Sequence, residues 1–394
     1  MTRWFLPGQV LPCLPIAMYC DETHAPRETW LPATSLSPAQ PSVSVGDAAT
    51  LYQARPVVRD HPAVEHRVLA DVLLSSASDL IRAGDRLFHN DLVQLKTDRL
   101  PEEYRRGVRA QPDTATLEWP RIPGGAHMLP EAVSLMSATA PNYAHWLTEV
   151  LPKAALWGRL GCSPEVPLLV DTGLHPNIMR TLELALPESQ RIVLVPRNQV
   201  LAIQKLHDVT APGHIPFEPR QGDCPPRSHG TFSGQALQMM IETVKSSLGL
   251  RDSDPQDQVI YIRRNSGARN IINREEMDAF VAQQGWTVVA PERLTFDEQV
   301  RVFHGAKMVI GPTGAAMANL LFARPGCRVG VMMSTHPATP YYYWHNMVDS
   351  LGVTVEYILC EPDAQDEGAV HCDFSVPVAG MAQAYGHVPR REMV

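Results

Sequence analysis

In the second half of the chain, short apolar runs alternate with segments in which apolar residues recur every three or four positions. The apolar runs predict strands over residues 259–263, 286–290, 307–310, 328–333 and 353–359. The periodic segments predict helices over residues 231–249, 273–284, 295–306, 315–322 and 341–351. Because the connections are short and the strands are continuously apolar, this alternation predicts right-handed βαβ units in a parallel, doubly wound sheet of the Rossmann type.

Two of these helices carry a sequence signature for their first turn. Asn273 with Glu276, and Thr295 with Glu298, have the spacing of a capping box, in which each side chain bonds a backbone N–H at the other position. We therefore expect both helices to begin at these residues.

The first half of the chain is less regular. Residues 1–50 are rich in proline, serine and threonine and predict an extended arm. Strands are predicted over residues 64–69, 87–89, 92–96, 166–171, 191–195 and 200–211, and a helix over residues 175–186. The proline-rich interval 212–228 predicts a linker. The predicted organisation is therefore the arm, an N-terminal α/β domain over residues 51–228, and a C-terminal Rossmann-like domain over residues 229–394.

A predicted helix that begins at Asn142 places polar side chains on one face. Apolar residues at positions 146, 147, 150 and 151 form one stripe, and a second stripe consists of Asn142, His145, Glu149 and Lys153. The polar stripe brings an imidazole next to a carboxylate. Asn142 predicts an N-cap, and Pro152 predicts an end or a kink near Leu151. The alternative interpretation is a solvated helix face with an ordinary i,i+4 pair.

Composition narrows the class of protein. Hydrophobic residues make up 44% and charged residues 19% of the 394 residues, which is typical of a globular protein with full cores. The net charge of −8 and the lack of a basic block argue against a nucleic-acid partner. Seven scattered cysteines without C-x-x-C spacing favour reduced thiols over a disulfide framework.

The N-terminal stretch predicts neither a signal peptide nor a transmembrane helix. Prolines interrupt its mildly apolar residues, and polar residues follow within a few positions. We expect a cytoplasmic protein, and peripheral association with the inner face of a membrane remains open because it needs no sequence-readable anchor.

The stretch 311–319 reads Gly-Pro-Thr-Gly-Ala-Ala-Met-Ala-Asn and lies between a predicted strand and a predicted helix. A glycine-containing turn in this place directs backbone N–H groups and the positive end of the helix toward one point, which favours phosphate binding. The candidate binding residues are Gly311, Thr313, Gly314, Ala315 and Asn319. A tight turn without a ligand is the alternative, because G-P-x-G is not the dinucleotide fingerprint.

Charged residues follow two other predicted strands at the same edge of the sheet. Arg263, Arg264 and Arg269 follow the first of these strands, and guanidinium groups suit a diphosphate because they bind its oxygens in a planar, bidentate way. Glu292 follows the next strand, where a carboxylate could accept from ribose hydroxyls. The alternative is that all four are ordinary loop residues.

Three further candidates favour a structural interpretation. Residues 252–254 read Asp-Ser-Asp, but they precede a strand and adjoin a proline, which favours a loop over a metal site. The aromatic run 341–344 could stack on a sugar, but such clusters more often lie in a core. His304 and His345 lack metal-ligand spacing and favour helix-face or core positions.

Taken in order, these motifs resemble glycosyltransferase family 61, also called the DUF563 or capsular polysaccharide biosynthesis type. The resemblance covers about residues 125–360 and includes the stretches Tyr-Ile-Arg-Arg at 261–264, Asn-Arg-Glu-Glu at 273–276, Glu-Arg-Leu-Thr-Phe-Asp-Glu-Gln at 292–299 and GPTGAAMANLLF at 311–322. Upstream, Asn142 with His145-Trp146-Leu147 and Leu151-Pro152-Lys153 is similar to the family's N-x-x-H-W-L…L-P motif.

The resemblance implies a GT-B enzyme, in which two Rossmann-like domains with parallel sheets face a cleft. It further implies inverting transfer of a hexosyl or pentosyl group from a nucleotide sugar to a glycan or polysaccharide, with no cofactor and no obligatory metal. The C-terminal domain would bind the donor, and the N-terminal domain would hold the acceptor with His145 or Glu149 as the base and Asn142 and Lys153 nearby. The family's turn usually reads G-P-H-G-A. Thr313 replaces that histidine, and a hydroxyl can donate to a phosphate but cannot supply an imidazolium.

Two other functions stay open at this point. The first is a non-catalytic nucleotide- or glycan-binding subunit, which the replacement at Thr313 makes plausible. The second is an oxidoreductase or epimerase that modifies nucleotide sugars; this class predicts a G-x-G-x-x-G turn after an early strand, and the sequence has none.

Overall fold

A computed structural model describes residues 6–36, 42–47, 59–93, 108–110, 116–121, 126–160, 162–215, 230–265, 267–335, 342–363 and 372–386. The chain divides into two compact units. Unit 1 comprises Met1–Leu36, Arg59–Gln221 and Pro225–Leu248, and unit 2 comprises Ser37–Val58, Gly222–Cys224 and Gly249–Val394.

The strands of the described residues, in chain order, are β1 (Leu6–Pro15), β2 (Arg27–Leu31), β3 (Thr34–Leu36), β4 (Ser42–Val45), β5 (Arg59–His61), β6 (Val64–Ser75), β7 (Ile81–Ala83), β8 (Arg86–His89), β9 (Arg109–Ala110), β10 (Thr116–Arg121), β11 (His127–Ser134), β12 (Leu168–Asp171), β13 (Ile192–Val195), β14 (Val200–Val209), β15 (Gly213–His214), β16 (Thr231–Phe232), β17 (Gln258–Ile262), β18 (Thr287–Val289), β19 (Ala306–Pro312), β20 (Arg328–Ser334), β21 (Thr354–Pro362) and β22 (Phe374–Ser375).

The α-helices are α1 (Ile16–Thr23), α2 (Tyr143–His145), α3 (Leu151–Arg159), α4 (Pro176–Ala185), α5 (Gly234–Ser247), α6 (Arg274–Gln284), α7 (Phe296–His304), α8 (Tyr343–Val348) and α9 (Val378–Tyr385). A π-helical segment, Trp146–Val150, joins α2 to α3, and 3₁₀ segments cover Pro291–Arg293, Ala315–Phe322 and Asp349–Leu351.

Unit 1 is built on a large mixed sheet. Its strand order is β13-β12-β11-β14-β6-β7-β8-β1-β10-β9, and β2 pairs with β6. Strands β14, β11, β12 and β13 are parallel neighbours, whereas β6 is antiparallel to β14. The main apolar core of this unit includes Leu69, Phe88, Leu169 and Leu206. An α/β architecture is therefore present in this unit, as the sequence predicts.

Residues 6–36 do not form the extended arm predicted for residues 1–50. Strand β1 pairs with β10 and β8, and α1 buries Ile16, Tyr19 and Cys20. The prolines that suggested an irregular segment are tolerated because neighbouring strands, distant in the sequence, fix the backbone of β1. Of the strand predicted over residues 92–96, Leu92 lies in a turn, and positions 94–96 lie outside the described residues.

Helix α5 belongs to unit 1, although the sequence assigns it to the C-terminal domain. The predicted helix over 231–249 is in fact the short strand β16 followed by α5, which Ser233 caps by accepting from the Ala236 N–H at 3.3 Å. Ser247 donates to the backbone oxygen of Leu184 at 2.8 Å, so α5 is bound to the end of α4. The compact units consequently have other bounds than the predicted domains.

Unit 2 contains the doubly wound parallel sheet that the alternating pattern predicts. Its strand order is β18-β17-β19-β20-β21-β22, with β4 beside β21; all of these pairs are parallel except β21 with β22. Helices α6 and α7 and the segment Ala315–Phe322 connect successive parallel strands. The last of these is a 3₁₀ helix and not the predicted α-helix. Its side chains from Met317 to Phe322 are all buried, so this segment has no exposed face there.

The two predicted capping boxes have different outcomes. At α7 the box is confirmed, since Thr295 accepts from the Glu298 N–H and Glu298 accepts from the Thr295 N–H. At α6 it is wrong, because the Asn273 oxygen accepts from the Val376 N–H at 2.8 Å and its amide donates to Glu276. A tertiary contact therefore takes the atom that would have capped the helix.

Two further features bear on the predicted class. No helix within the described residues is both long and apolar enough to cross a membrane. No disulfide joins the described cysteines, and Cys224 lies outside them.

Candidate functional site

The first candidate site lies in unit 1 and begins with the irregular helix from α2 to α3. Asn142 caps this helix by accepting from the Ala144 N–H at 3.0 Å, as predicted. The helix does not end at Pro152 but continues to Arg159. Proline lacks an N–H and clashes with the preceding turn of an α-helix, so the π-helical segment before it, in which Leu151 N–H bonds Trp146 O, relieves the conflict.

The carbonyl of Thr148, four residues before Pro152, is covered by another part of the chain. Gly213 approaches it so closely that a Cβ at Gly213 would lie 2.4 Å from that oxygen. A glycine is therefore required there, and the contact places residues 213–215 beside the π-helical segment.

His145 and Glu149 form the contact that their spacing predicts. His145 Nδ1 lies 3.0 Å from Glu149 Oε1, and the two side chains are only 8% and 14% exposed. These low exposures contradict the alternative of a solvated helix face. Glu149 Oε1 also accepts from the Ile215 N–H at 2.6 Å, and Oε2 accepts from the Thr139 hydroxyl at 3.3 Å.

The surroundings of Glu149 favour its ionised form. Burial acts against ionisation, but the charges of His145 and His214 and the Ile215 N–H outweigh it, so the pKa of Glu149 lies below its ordinary value. Glu149 is thus a carboxylate near neutral pH, and it is held by groups from three segments of the chain.

A cavity of about 60 Å³ adjoins this carboxylate. Its polar lining includes Asp79, Asn90, Glu149, Lys153 and His214, together with the segment 134–139. His145 is not among the described residues that line it. Glu149 therefore faces the cavity, and His145 contacts Glu149 without lining the cavity itself. The sequence predicts Asn142 beside the acceptor, and in the structure its side chain caps the helix.

The second candidate site lies in unit 2, at the carboxyl edge of the parallel sheet. Arg264 follows β17; it donates from Nη1 to the Thr313 backbone oxygen and from Nε to the Ala268 oxygen, both at 3.0 Å. Burial and the neighbouring Arg269 lower the pKa of Arg264 to about 10, and Asp373 acts in the opposite direction. Two guanidinium groups near each other in a half-buried place make this loop attractive to an anion.

Gly314 is required by the position of Arg264. A Cβ on Gly314 would lie 1.6 Å from Arg264 Nη1, so any larger residue would displace the guanidinium. Ala315 follows as the first residue of the 3₁₀ helix and is half-buried.

Thr313 is only 8% exposed, and its hydroxyl accepts from the indole N–H of Trp344 at 3.0 Å. The aromatic run favours a core position for Trp344, and Trp344 is buried. The sequence does not predict its bond to the turn. A run of aromatic residues predicts burial. It does not predict that Thr313 accepts from the indole, because the two residues are 31 positions apart.

Arg263 and Glu292 lie together in a separate cavity of about 560 Å³ in the same unit. Asn265, Arg274 and Arg293 also line it. Arg263 is paired with Asp278 at 2.8 Å, which fixes its guanidinium at the edge of β17. The structure thus brings Arg263 to Glu292, and Arg264 to Thr313 and Gly314.

Two predicted binding residues are packing residues in the structure. Gly311 lies within β19, where a Cβ would stand 2.6 Å from the Cβ of Ile262. Asn319 is fully buried, and its amide donates to Gln299 Oε1 at 2.7 Å and to the Ala316 oxygen at 3.1 Å. Both residues stabilise the backbone around the turn through these contacts.

The remaining candidates occupy the structural positions that the sequence favours. Asp254 accepts from the Arg251 N–H at 2.8 Å in a loop before β17, and His304 lies 3.4 Å from the same carboxylate. Tyr342, Tyr343 and Trp344 are buried, and position 341 lies outside the described residues. Among the described side chains, no cluster of His, Cys, Asp or Glu is arranged to hold a metal ion.

The fold and these two sites define an α/β protein with a Rossmann-type unit and a buried glutamate at a polar cavity. Residues 143–330 match the family model described as Glycosyltransferase 61, and this segment contains Glu149, Arg264 and Thr313. This match supports the resemblance to glycosyltransferase family 61 that the motifs predict, and the family indicates a glycosyltransferase. None of the curated proteins compared with the chain matches it.

Proposed function

We propose that the protein is an inverting glycosyltransferase that moves a hexosyl or pentosyl group from a nucleotide sugar to a hydroxyl of a glycan or polysaccharide. The observation that carries the proposal is Glu149, a carboxylate with a lowered pKa that faces a polar cavity within the family segment. Because Glu149 is unprotonated near neutral pH, it can accept the proton of a hydroxyl.

In this mechanism Glu149 Oε2 takes the proton of the acceptor hydroxyl. The acceptor oxygen then forms a bond to the anomeric carbon, the bond from that carbon to the diphosphate oxygen breaks, and the electron pair leaves with the nucleoside diphosphate. His145 does not reach the acceptor in this assignment; its imidazole contacts Glu149 Oε1 and holds the carboxylate in place. Lys153, Asn90 and Asp79 supply polar contacts for acceptor hydroxyls.

The donor belongs in unit 2 under this proposal. Arg264, Arg269 and the Thr313–Ala315 turn suit the diphosphate, because charged donors there offset the negative charge that develops on the leaving group. The cavity of about 560 Å³ with Arg263 and Glu292 has the size of a small-ligand pocket and suits the nucleoside.

The proposal needs no metal. It also includes a GT-B arrangement, a role in capsular polysaccharide synthesis, and a cytoplasmic place with peripheral attachment to the inner face of the membrane.

The test compares Glu149→Gln and His145→Ala with the parent protein. Both variants should fold, show the parent's thermal shift with UDP, GDP, CDP or dTDP, and lose transfer and slow hydrolysis of the matching nucleotide sugar. Glu131→Gln is the matched control, because Glu131 forms another Glu–His contact, 2.8 Å from His207 Nε2, outside the cavity. Unchanged turnover in both site variants would remove the assignment, and no shift with any nucleotide would count against the whole proposal.

A second candidate is a non-catalytic subunit that binds nucleotide or glycan. The observation in its favour is Thr313, which replaces a histidine of the family's turn and whose hydroxyl is engaged by Trp344. Nucleotide binding without hydrolysis of any nucleotide sugar would support this candidate over the enzyme.

A further inference from the structure

Asp171, at the end of β12, was not a candidate in the sequence, yet its carboxylate joins two segments of unit 1. It is 7% exposed. Its Oδ1 accepts from the Ala77 N–H at 2.7 Å, and its Oδ2 accepts from the Ser137 N–H at 3.3 Å. Each oxygen therefore holds the backbone of a different loop.

Both loops contribute to the cavity that adjoins Glu149. Asp79 comes from the first loop and residues 134–139 from the second. In the first loop, Ala77 has φ +56°, a left-handed conformation that is unfavourable for any residue with a Cβ. The bond from Ala77 to Asp171 is a local interaction that holds this backbone in place.

A chain of hydrogen bonds leads from Asp171 to Glu149. The Ser137 hydroxyl lies 2.9 Å from the Thr139 hydroxyl and also accepts from the Thr139 N–H at 3.2 Å. The Thr139 hydroxyl then donates to Glu149 Oε2 at 3.3 Å. Since Oε2 is the oxygen assigned to proton transfer, the position of this oxygen depends on the loop that Asp171 holds.

We propose that Asp171 is a positioning residue, which fixes the loops at residues 75–79 and 134–139 and, through Ser137 and Thr139, sets the place of the Glu149 carboxylate beside the acceptor. The inference rests on the proposed function only in naming Glu149 as the base. The bonds that it invokes can be measured without turnover.

The charge on Asp171 makes this support sensitive to pH. Burial raises the pKa of Asp171 to about 6, while the N–H groups of Ala77 and Ser137 and the charge of Arg197 act in the opposite direction. Asp79 and Glu149 are the acidic groups carried by or bonded to the loops that it holds. A protonated carboxyl accepts more weakly from the two N–H groups, so the place of the Glu149 carboxylate should change as the pH falls below about 6.

The test is amide hydrogen exchange with residue-level resolution in the full chain. In Asp171→Asn at pH 7.5, exchange at Ala77 and Ser137 should rise on the order of tenfold relative to the parent, and exchange at Ile215, which donates to Glu149, should rise in the same direction. Ser137→Ala keeps the aspartate but removes the hydroxyl, and should raise exchange at Ile215 while leaving Ala77 unchanged.

Asp254→Asn is the matched control, because Asp254 also accepts a backbone N–H but lies in unit 2. It should leave all three amides unaltered. Unchanged exchange at Ala77 and Ser137 in Asp171→Asn, or at Ile215 in both site variants, would overturn the proposal.

Activity supplies a second, separable readout. If UDP-glucose or another nucleotide sugar is hydrolysed, the parent's rate should fall below about pH 6, and this acid limb should be absent in Asp171→Asn. An acid limb that persists in the variant would remove Asp171 from the reaction. Lack of hydrolysis by the parent would defeat the proposed function, whereas the exchange result would still decide whether Asp171 holds Glu149.

Discussion

Arg264 and Thr313 are joined by a hydrogen bond of 3.0 Å from the guanidinium Nη1 to the backbone oxygen, across two adjacent strands of the parallel sheet. The bond orders the arginine against Gly314. This relationship explains why the turn needs a glycine even though it is not a dinucleotide fingerprint.

Gly314→Ala should displace Arg264 and weaken the binding of nucleoside diphosphates about tenfold, because the new Cβ would occupy the place of Nη1. Gly314 has φ +157°, which disfavours a residue with a Cβ, so a loss of stability should accompany the loss of affinity. The fold should persist, since the displaced atom is the end of a flexible side chain. Calorimetric titration with the nucleotide that gives the largest thermal shift measures the effect. Gly267→Ala in the same loop is the control, because its Cβ would meet no atom within 4 Å. Equal dissociation constants for the parent and Gly314→Ala would separate Arg264 from the donor site.

Thr313→Val should lower the free energy of unfolding by about 1–3 kcal/mol, because the buried indole N–H of Trp344 would lose its acceptor. Thr313→Ser keeps the hydroxyl and should stay close to the parent. Urea denaturation at equilibrium measures both. Adding Trp344→Phe to Thr313→Val should recover part of the loss, and strict additivity in this double-mutant cycle would show that the bond contributes nothing.

Asn319→Ala should destabilise unit 2 without changing nucleotide affinity, since Asn319 is fully buried and its amide bonds Gln299. The expected loss is about 1–3 kcal/mol, because the Gln299 carbonyl would be left without its donor. Denaturation and nucleotide titration are measured on the same preparation. A loss of affinity at unchanged stability would restore the binding role that the sequence predicts for Asn319.

Asp171 should make the protein less stable as the pH rises from about 4 to about 6. Its pKa is about 6 in the folded state and near 3.8 in an unfolded chain, so in this window the folded protein binds a proton that the unfolded chain does not. The corresponding change in the free energy of unfolding is at most about 3 kcal/mol.

Carboxylates with lowered pKa values, such as Glu149, have the opposite effect. Their contribution to the free energy of unfolding is lost as the pH falls through their folded-state pKa. The difference between the parent and Asp171→Asn isolates the aspartate. This difference should decrease with rising pH between about 4 and about 6. A difference that increases instead would mean that folding lowers the pKa of Asp171.

Local patterns predicted the parts of the molecule in which neighbours in sequence determine the structure. The strands of unit 2 follow from continuous apolar runs, and the contact between His145 and Glu149 follows from helical spacing. The partners of these residues could not be predicted in the same way. Ile215 N–H reaches Glu149 from 66 positions away, so no period in the sequence records it.

The same limit explains the errors. Strand β1 contains prolines that normally interrupt strands, and its pairing with the distant strands β8 and β10 stabilises it. At Asn273, the local signal for a capping box competed with a bond to Val376, and the distant partner prevailed.

Strand β4 has a consequence for the order in which the protein can be completed during synthesis. It lies at the edge of the unit 2 sheet, where Ser42 donates to the Val355 oxygen 313 positions later and Val45 packs against Gly380. A ribosome needs roughly 15 to 60 s to span that interval. Strand β4 can therefore pair with β21 only after nearly the whole chain has been synthesised. An expressed fragment that begins at Gly249 would lack β4 and would present the uncovered edge of β21 to solvent and to other molecules.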